Sequence, residues 1–303
     1  MAASAEELKI RRGLPILRFL VGYMPFRLFQ PLVERQAARA ALPDGVTREA
    51  ISAGGARCDW LTPQGSAPDR VLLYLHGGGF VVGASAMHVE MVARLAQGLG
   101  ARALLVHYRL APQHPYPAAL DDCLTAYHWL LKQGIPAGNI VVAGDSAGGN
   151  LTLTLLMALR DRGGPLPAAG ACLSPVADLT AGLERFETQH DALLHPRAAR
   201  GFNRSYVADH DPHDPLISPV CGDWTGLPPL LIHAGEEEVL REDAEQVGAL
   251  ARAAGVEVHV EIYPRMWHVW QIHHALPETA QSLGDITQFF VSHLGVRQPN
   301  PAR

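Results

Sequence analysis

The chain has 303 residues and a mass of 32.7 kDa, with 48% hydrophobic and 18% charged residues. This composition excludes a disordered chain, which requires low hydrophobicity and high charge. The net charge is −5, and no run of Lys and Arg could neutralise a row of phosphates, which argues against nucleic acid as a partner. The length suits either two domains or one large α/β domain.

The N-terminal 45 residues are expected to form apolar helices that lie on the body of the protein. Residues 14–33 follow basic residues, as in a signal peptide. However, prolines and arginines interrupt this segment, at Pro15, Arg18, Pro25 and Arg27. The interruptions argue against both a signal peptide and a membrane span, and docking on a membrane surface is the alternative.

Short apolar runs alternate with helical patterns along the rest of the chain. Six runs predict strands, at 71–75, 103–108, 140–143, 168–173, 230–234 and 256–263. Five patterns predict helices, at 88–99, 118–132, 150–160, 242–254 and 280–294. This alternation predicts an α/β fold with a mainly parallel sheet covered on both faces.

One long segment, residues 177–226, breaks this alternation and is expected to be an insertion over one end of the sheet. It contains a helical pattern at 196–207 and a run of Asp and His at 209–214. The run has prolines and no helix to orient its side chains, so a solvated turn is expected rather than a metal site. No metal is expected elsewhere either.

Two glycine-rich motifs follow predicted strands. Gly144-Asp145-Ser146-Ala147-Gly148 lies between a strand and a helix, where a sharp turn can lift the Ser146 hydroxyl clear of the sheet. His76-Gly77-Gly78-Gly79-Phe80 follows the first predicted strand, and its backbone N–H groups could hold an oxyanion. A capping serine and a flexible loop are the structural alternatives for the two motifs.

A third motif, Pro264-Arg265-Met266-Trp267-His268, follows the last predicted strand, and its histidine could be a general base or an ordinary surface residue. Such a base needs a carboxylate to fix its tautomer. Acidic side chains lie just after the strand at 230–234, at Glu236, Glu237, Glu238, Glu242 and Asp243. The order serine, acid, histidine is that of the α/β-hydrolases.

Three short runs together resemble the hormone-sensitive-lipase-like family of bacterial carboxylesterases. They are the His-Gly-Gly-Gly run, the Gly-Asp-Ser-Ala-Gly turn and Tyr108-Arg109-Leu110-Ala111-Pro112. The resemblance implies a single α/β-hydrolase domain over 1–303, with an eight-stranded, mostly parallel sheet. It also implies a helical cap formed by residues 1–45 and 177–226, and no cofactor.

By the same resemblance, Ser146 is the nucleophile, His268 the base and Glu238 the acid, with Glu237 as the alternative acid. Glu replaces the family's commoner Asp, and its extra methylene requires a different loop path. The resemblance assigns the oxyanion hole to the glycine loop, at Gly77, Gly78 and Gly79, and to Ala147 after the nucleophile. The N–H groups of Gly78, Gly79 and Ala147 are the expected donors, while Gly77 mainly shapes the turn. Candidate substrate-pocket residues, chosen from the motifs, are Phe80, Met266 and Trp267.

The predicted function is hydrolysis of short-chain acyl esters through an acyl-enzyme intermediate. An amide deacetylase or a lactone hydrolase could use the same residues, and a non-enzymatic ligand-binding module would be expected to lack one of them. The resemblance suggests pairing of two copies through edge strands. Four scattered cysteines, at Cys58, Cys123, Cys172 and Cys221, are expected to be reduced thiols of a cytoplasmic protein.

Overall fold

The computed structural model describes residues 3–23, 26–180 and 191–295, and the side chains of residues 26–29 are outside this description. One sheet contains all eight strands of these residues. The strands are β1 (Val46–Ala53), β2 (Ala56–Pro63), β3 (Ala67–Leu75), β4 (Ala101–Val106), β5 (Ile140–Asp145), β6 (Ala169–Leu173), β7 (Leu230–Gly235) and β8 (Val258–Tyr263). Their order is β1-β2-β4-β3-β5-β6-β7-β8, and every pair from β4 to β8 is parallel.

Eight α-helices accompany these strands in the described residues. They are α1 (Ala5–Tyr23), α2 (Phe26–Ala38), α3 (Ala86–Leu99), α4 (Ala118–Lys132), α5 (Ala147–Asp161), α6 (Pro196–Val207), α7 (Arg241–Ala253) and α8 (Pro277–His293). The helices predicted from periodicity match α3, α4, α5, α7 and α8. The predicted α/β fold, with its eight-stranded and mostly parallel sheet, is confirmed.

The hydrophobic core lies on both faces of the sheet. Alternate residues of the central strands point in opposite directions, so Leu73 and Val142 pack on the face covered by α4 and α5. Leu72 and Val141 pack on the other face, beneath α3 and α8. Because both faces are covered, the central strands are continuously apolar, and this is why they were visible in the sequence.

The hairpin of β1 and β2 was not predicted from the residue pattern. These strands pair antiparallel through a two-residue turn, Gly54-Gly55, and both glycines have positive φ. A Gly-Gly pair between two short strands favours a tight hairpin turn, so this hairpin could have been predicted from the sequence. The half-exposed edge strand β1 mixes polar and charged residues, which hid the pattern.

The segments expected to form a cap meet one another in the structure. Helix α1 packs against α6, where Gly22 closely approaches the His195 ring. None of the helices in the described part of the chain combines the length and the hydropathy needed to span a bilayer. The proline-interrupted segment at 14–33 lies partly in α1 and α2, while residues 24 and 25 lie outside the described residues.

Candidate active site

Ser146 lies at the sharp turn between β5 and α5. Its φ of 53° and ψ of −117° are unfavourable for an L-residue, and such strain often marks functional positions. Gly148 has to lack a side chain, because a Cβ there would overlap the Leu75 carbonyl on the neighbouring strand. The turn therefore depends on the small residues that the sequence motif provides.

His268 bridges Ser146 and Glu238. Its Nε2 lies 3.0 Å from the Ser146 Oγ, and its Nδ1 lies 2.6 Å from the Glu238 Oε2. All three side chains are buried, with Ser146 the most exposed at 8%. Burial opposes the charged imidazolium, but the hydrogen bond and negative charge of Glu238 outweigh it and raise the pKa of His268 above its ordinary value. The arrangement lets the imidazole accept the serine proton.

Glu238 is held in place by two further hydrogen bonds. Its Oε1 accepts from the Ser174 hydroxyl at 2.8 Å and from the Gly235 N–H at 2.6 Å. Ser174, which directly follows β6, was not singled out in the sequence. Ser174 lies at the carboxyl end of a strand next to β5, and this position could have indicated that it belongs to the site.

Glu237, the alternative acid, points elsewhere. Its side chain is 39% exposed and forms an ion pair with Arg11 of α1 at 2.8 Å. The neighbouring Glu236 accepts a hydrogen bond from the Arg265 N–H at 2.9 Å. Of these consecutive glutamates, the structure therefore brings Glu238 to His268.

The other two acidic candidates lie at the start of α7. Asp243 is fully buried and accepts the Ala177 and Asp178 N–H groups at 2.7 and 3.1 Å. It therefore fixes the beginning of the 177–226 segment, a role that its position in the first helical turn did not reveal. Glu242 lies beside it in the first turn of α7.

The glycine loop runs past Ser146 with an unusual backbone. Gly78 and Gly79 have φ values of 115° and 60°, and both line the cavity above Ser146. Within the described residues, no group accepts a hydrogen bond from the N–H of Gly78, Gly79 or Ala147. Gly77 differs, because its N–H donates to the Asp145 Oδ1 at 3.0 Å. Gly77 therefore shapes the loop, while the other three N–H groups are available to a ligand.

A buried carboxylate beneath this loop was missed in the sequence. Asp145 also accepts from the Tyr74 hydroxyl at 2.9 Å and lies 3.0 Å from the His88 Nε2. Burial favours its protonated form, but the charge and hydrogen bond of His88, with that of Tyr74, lower the pKa of Asp145. Asp145 is thus a buried anion that ties the glycine loop to β3 and α3.

A cavity of about 320 Å³ opens above Ser146. Apart from the groups described above, its lining is mostly apolar and comes from α1, α2, α6 and nearby loops, at Leu17, Val21, Val33, Phe80, Val176, Leu193, Leu194, Ala199, Phe202, Leu240, Val269 and Ile272. Polar side chains in the lining are few, and Asp178 and Asn203 are among them. The cavity therefore suits a small apolar ligand.

Of the three candidate pocket residues, only Phe80 lines this cavity. Met266 and Trp267 are fully buried and do not line it, which corrects the expectation drawn from their position beside His268. They pack behind the histidine loop with Leu14 of α1 and Trp270. Adjacent residues in a loop commonly point in different directions, so nearness in sequence did not place them in the pocket.

No group of metal-ligating side chains occurs in the described residues. In the 209–214 segment, Asp211 pairs with His213 at the surface, and Asp214 accepts the Leu216 N–H. These contacts are those of a turn.

A serine, a histidine and a carboxylate in this order, at the carboxyl edge of a parallel sheet, form the arrangement used by serine hydrolases. Comparison with known proteins agrees. A family model described as the α/β-hydrolase fold matches residues 72–272. An acetyl-hydrolase of Streptomyces hygroscopicus is 40% identical over 262 residues, which cover 86% of each chain.

An esterase of Acinetobacter venetianus is 37% identical over 246 residues, which cover 80% of this chain and 81% of that protein. A crystal structure of an esterase from the bacterial hormone-sensitive lipase family superposes with a TM-score of 0.88 at 37% identity, over 97% of this chain and 100% of the other. The chain therefore belongs to the α/β-hydrolase family, in its hormone-sensitive-lipase branch, and is a carboxylic ester hydrolase.

Proposed function

We propose that Ser146, His268 and Glu238 are the catalytic triad of this esterase. The observation that carries the proposal is that one imidazole joins the other two side chains, at 3.0 Å from the serine and 2.6 Å from the carboxylate. His268 removes the hydroxyl proton as Ser146 attacks the ester carbonyl. Glu238 holds the imidazole in the required tautomer and stabilises its charged form.

The reaction proceeds in two halves. His268 gives its proton to the leaving alcohol, which leaves the acyl group on the Ser146 Oγ as an ester. A water molecule then loses a proton to His268 and attacks this ester, which releases the carboxylic acid and restores the serine. No group beyond the chain's own side chains and water is needed for either half.

The N–H groups of Gly78, Gly79 and Ala147 form the oxyanion hole in this proposal. They flank Ser146 and have no acceptor among the described residues, so they can donate to the negative charge that develops on the carbonyl oxygen. Ala147 is also the first residue of α5, where the helix dipole favours negative charge. Gly77 serves indirectly, because its own N–H is bound to Asp145.

The substrate class in this proposal is small esters with short acyl chains, of about two to eight carbons. A cavity of about 320 Å³ lies at the small end of the range for ligand pockets. The name of the acetyl-hydrolase relative agrees with a small acyl group. Residues 1–45 and 177–226 act as a cap, since α1, α2 and α6 contribute apolar side chains to the cavity.

The proposed setting is the cytoplasm, which is consistent with four free thiols. Of these, Cys58, Cys123 and Cys172 are buried and Cys221 is exposed. Pairing of two copies through an edge strand stays a prediction. Sedimentation analysis of the purified chain would test the pairing.

Replacement of the nucleophile tests the function directly. Ser146→Ala should lower kcat for p-nitrophenyl butyrate by at least about 10⁴-fold while the protein stays folded. Ser292→Ala, on the exposed side of α8, is the matched control and should retain full activity. Retention of more than a tenth of the activity by purified Ser146→Ala would exclude Ser146 as the nucleophile. A higher kcat/KM for lactones or N-acetyl amides than for every short ester would overturn the substrate class.

A further inference from the structure

Helix α1 carries a guanidinium that reaches both loops of the proposed acid–base pair. Arg11 donates from Nη1 to the Glu237 Oε2 at 2.8 Å, one residue before Glu238. It donates from Nη2 to the carbonyl of Arg265, three residues before His268. Its Nε donates to the Glu7 Oε1 at 2.9 Å on the preceding turn of the same helix. One planar group thus joins the acid loop, the histidine loop and α1.

The Arg11 contacts are reinforced from beneath by a buried carboxylate. Glu7 is fully buried, and it also accepts from Arg265 at 3.0 Å. A buried carboxylate requires charged partners, and two guanidinium groups supply them here. Burial alone would raise the pKa of Glu7, but the hydrogen bonds and charges of Arg265 and Arg11 lower it. Glu7 therefore stays ionised and holds Arg11 and Arg265 in fixed positions.

The backbone joins the same two loops. The Glu236 N–H donates to the Tyr263 carbonyl at 2.9 Å, and the Glu237 N–H donates to the Met266 carbonyl at 2.9 Å. Arg265 has a φ of 62°, which is unfavourable for a side-chain-bearing residue and indicates that its surroundings impose the conformation. Arg11 binds at this strained residue. The Arg11 guanidinium also lies 5.4 Å from the centre of the Trp267 ring, next to His268.

From these contacts we infer that Arg11 is a positioning residue, which sets the separation of Glu238 and His268 by fixing their two loops against each other. Since the pair is 2.6 Å apart and buried, a small displacement of either loop would lengthen its hydrogen bond. The inference rests on the proposed roles of Glu238 and His268. It gives the N-terminal helix a part in the chemistry in addition to its part in lining the cavity.

The first test is Arg11→Lys, which keeps the charge and removes the fork of donors. We expect kcat to fall roughly tenfold while KM changes less than about twofold, because the loosened pair affects the reaction and leaves the cavity intact. Glu237→Gln, at a half-exposed side chain, should lower kcat about threefold by the same route. The double variant should be about as slow as Arg11→Lys alone, because both changes weaken the same Arg11–Glu237 ion pair.

The pH dependence separates positioning from a general loss of stability. The groups that act on the His268 charge are Glu238, Asp191 and Asp145, and Glu238 contributes most of the stabilisation. A longer bond to Glu238 leaves burial to dominate, so the rising limb of kcat/KM should move to lower pH in both variants. Loss of folded protein would reduce the active fraction without moving this limb.

Arg160→Lys is the matched control. Arg160 also bridges a carboxylate and two backbone carbonyls, those of Asp161, Asp223 and Thr225. It lies 14 residues after Ser146 on α5, about 21 Å along the helix. We expect this variant to keep the kcat and the pH profile of the parent protein.

An unchanged pH limb in Glu237→Gln and in folded Arg11→Lys, measured with the thermal unfolding temperature, would overturn the inference. So would a rise in KM at constant kcat. If Arg11→Lys does not fold, the pH dependence of kcat/KM in Glu237→Gln alone tests the inference. Failure of the proposed acid–base pair is distinguishable, because it would appear as full activity in Glu238→Gln whatever the result for Arg11.

Discussion

The Ser174 hydroxyl links Glu238 to the segment that carries His268. It donates to the Glu238 Oε1 at 2.8 Å and accepts from the Val269 N–H at 3.2 Å, next to His268. Glu238 accordingly has one oxygen for His268 and the other for Ser174 and Gly235. The Glu238 carboxylate is thus held by three hydrogen bonds.

Ser174→Ala should lower kcat by about three- to thirtyfold, because Glu238 loses one donor and the 269 N–H loses its acceptor. The triad itself remains, so the loss should be far smaller than that of Ser146→Ala. Steady-state kinetics on p-nitrophenyl butyrate would measure it. Activity equal to that of the parent protein would show that the Gly235 N–H suffices to orient the acid.

Neighbouring glutamates offer a test of the acid. Glu238→Gln preserves the side-chain shape but leaves the imidazolium without its counter-charge, so kcat should fall by about 10²–10⁴-fold. Glu237→Gln should cost no more than about fivefold. The reverse ranking would assign the acid to Glu237 and contradict the geometry described for Glu238.

The pH profile should report the state of His268. The base acts only when it is neutral, so kcat/KM should rise with pH and then level off. Because Glu238 raises the pKa of His268, the limb should lie above the ordinary histidine value of about 6.5. In Glu238→Gln burial is no longer offset, and the residual activity should titrate at lower pH. A flat profile between pH 5 and 9, with chemistry rate-limiting, would contradict His268 as the base.

Leu17 offers a test of the cavity and of the cap together. Leu17 lines the cavity and is 41% exposed, so Leu17→Trp should fold and reduce the space for an acyl chain. Each methylene contributes about 0.8 kcal/mol until the cavity is full, so the variant should prefer acyl chains about two carbons shorter than the parent does. Ile16→Trp is the control, since Ile16 is 67% exposed on the same helix and does not line the cavity. An unchanged preference for acyl-chain length in Leu17→Trp would contradict the role of α1 in limiting the acyl chain.

The sequence allowed the central strands and the catalytic candidates to be predicted for definite physical reasons. Buried parallel strands are continuously apolar, and a turn such as that at Ser146 tolerates few residues besides glycine at its flanks. The edge hairpin escaped the pattern search because β1 is half exposed. The residues alone left several carboxylates open as partners of the histidine, and only the family resemblance favoured Glu238 over Glu237. The choice depends on which side chain the loop directs towards His268, and the structure places Glu238 there.

Misplacement of Met266 and Trp267 has a similar cause. The direction of a side chain in a loop is set by backbone angles, and Arg265 and Val269 on either side have positive φ. Such conformations arise from tertiary contacts, here those of α1 and Ser174. Supporting groups such as Asp145 and Ser174 are likewise defined by what they touch and not by spacing in the chain.

Because Gly79 contacts Phe202, the part of α6 that shapes the cavity also supports the glycine loop beside Ser146. A Cβ at Gly79 would lie 2.5 Å from the Phe202 ring, so α6 rests directly on the glycine loop of the proposed oxyanion hole. Any remodelling of α6 to admit bulkier substrates therefore also alters the support of that loop. Attempts to broaden the substrate range by mutating α6 should meet losses of turnover on the original substrates, whereas changes on α1 at Leu17 should be tolerated more freely.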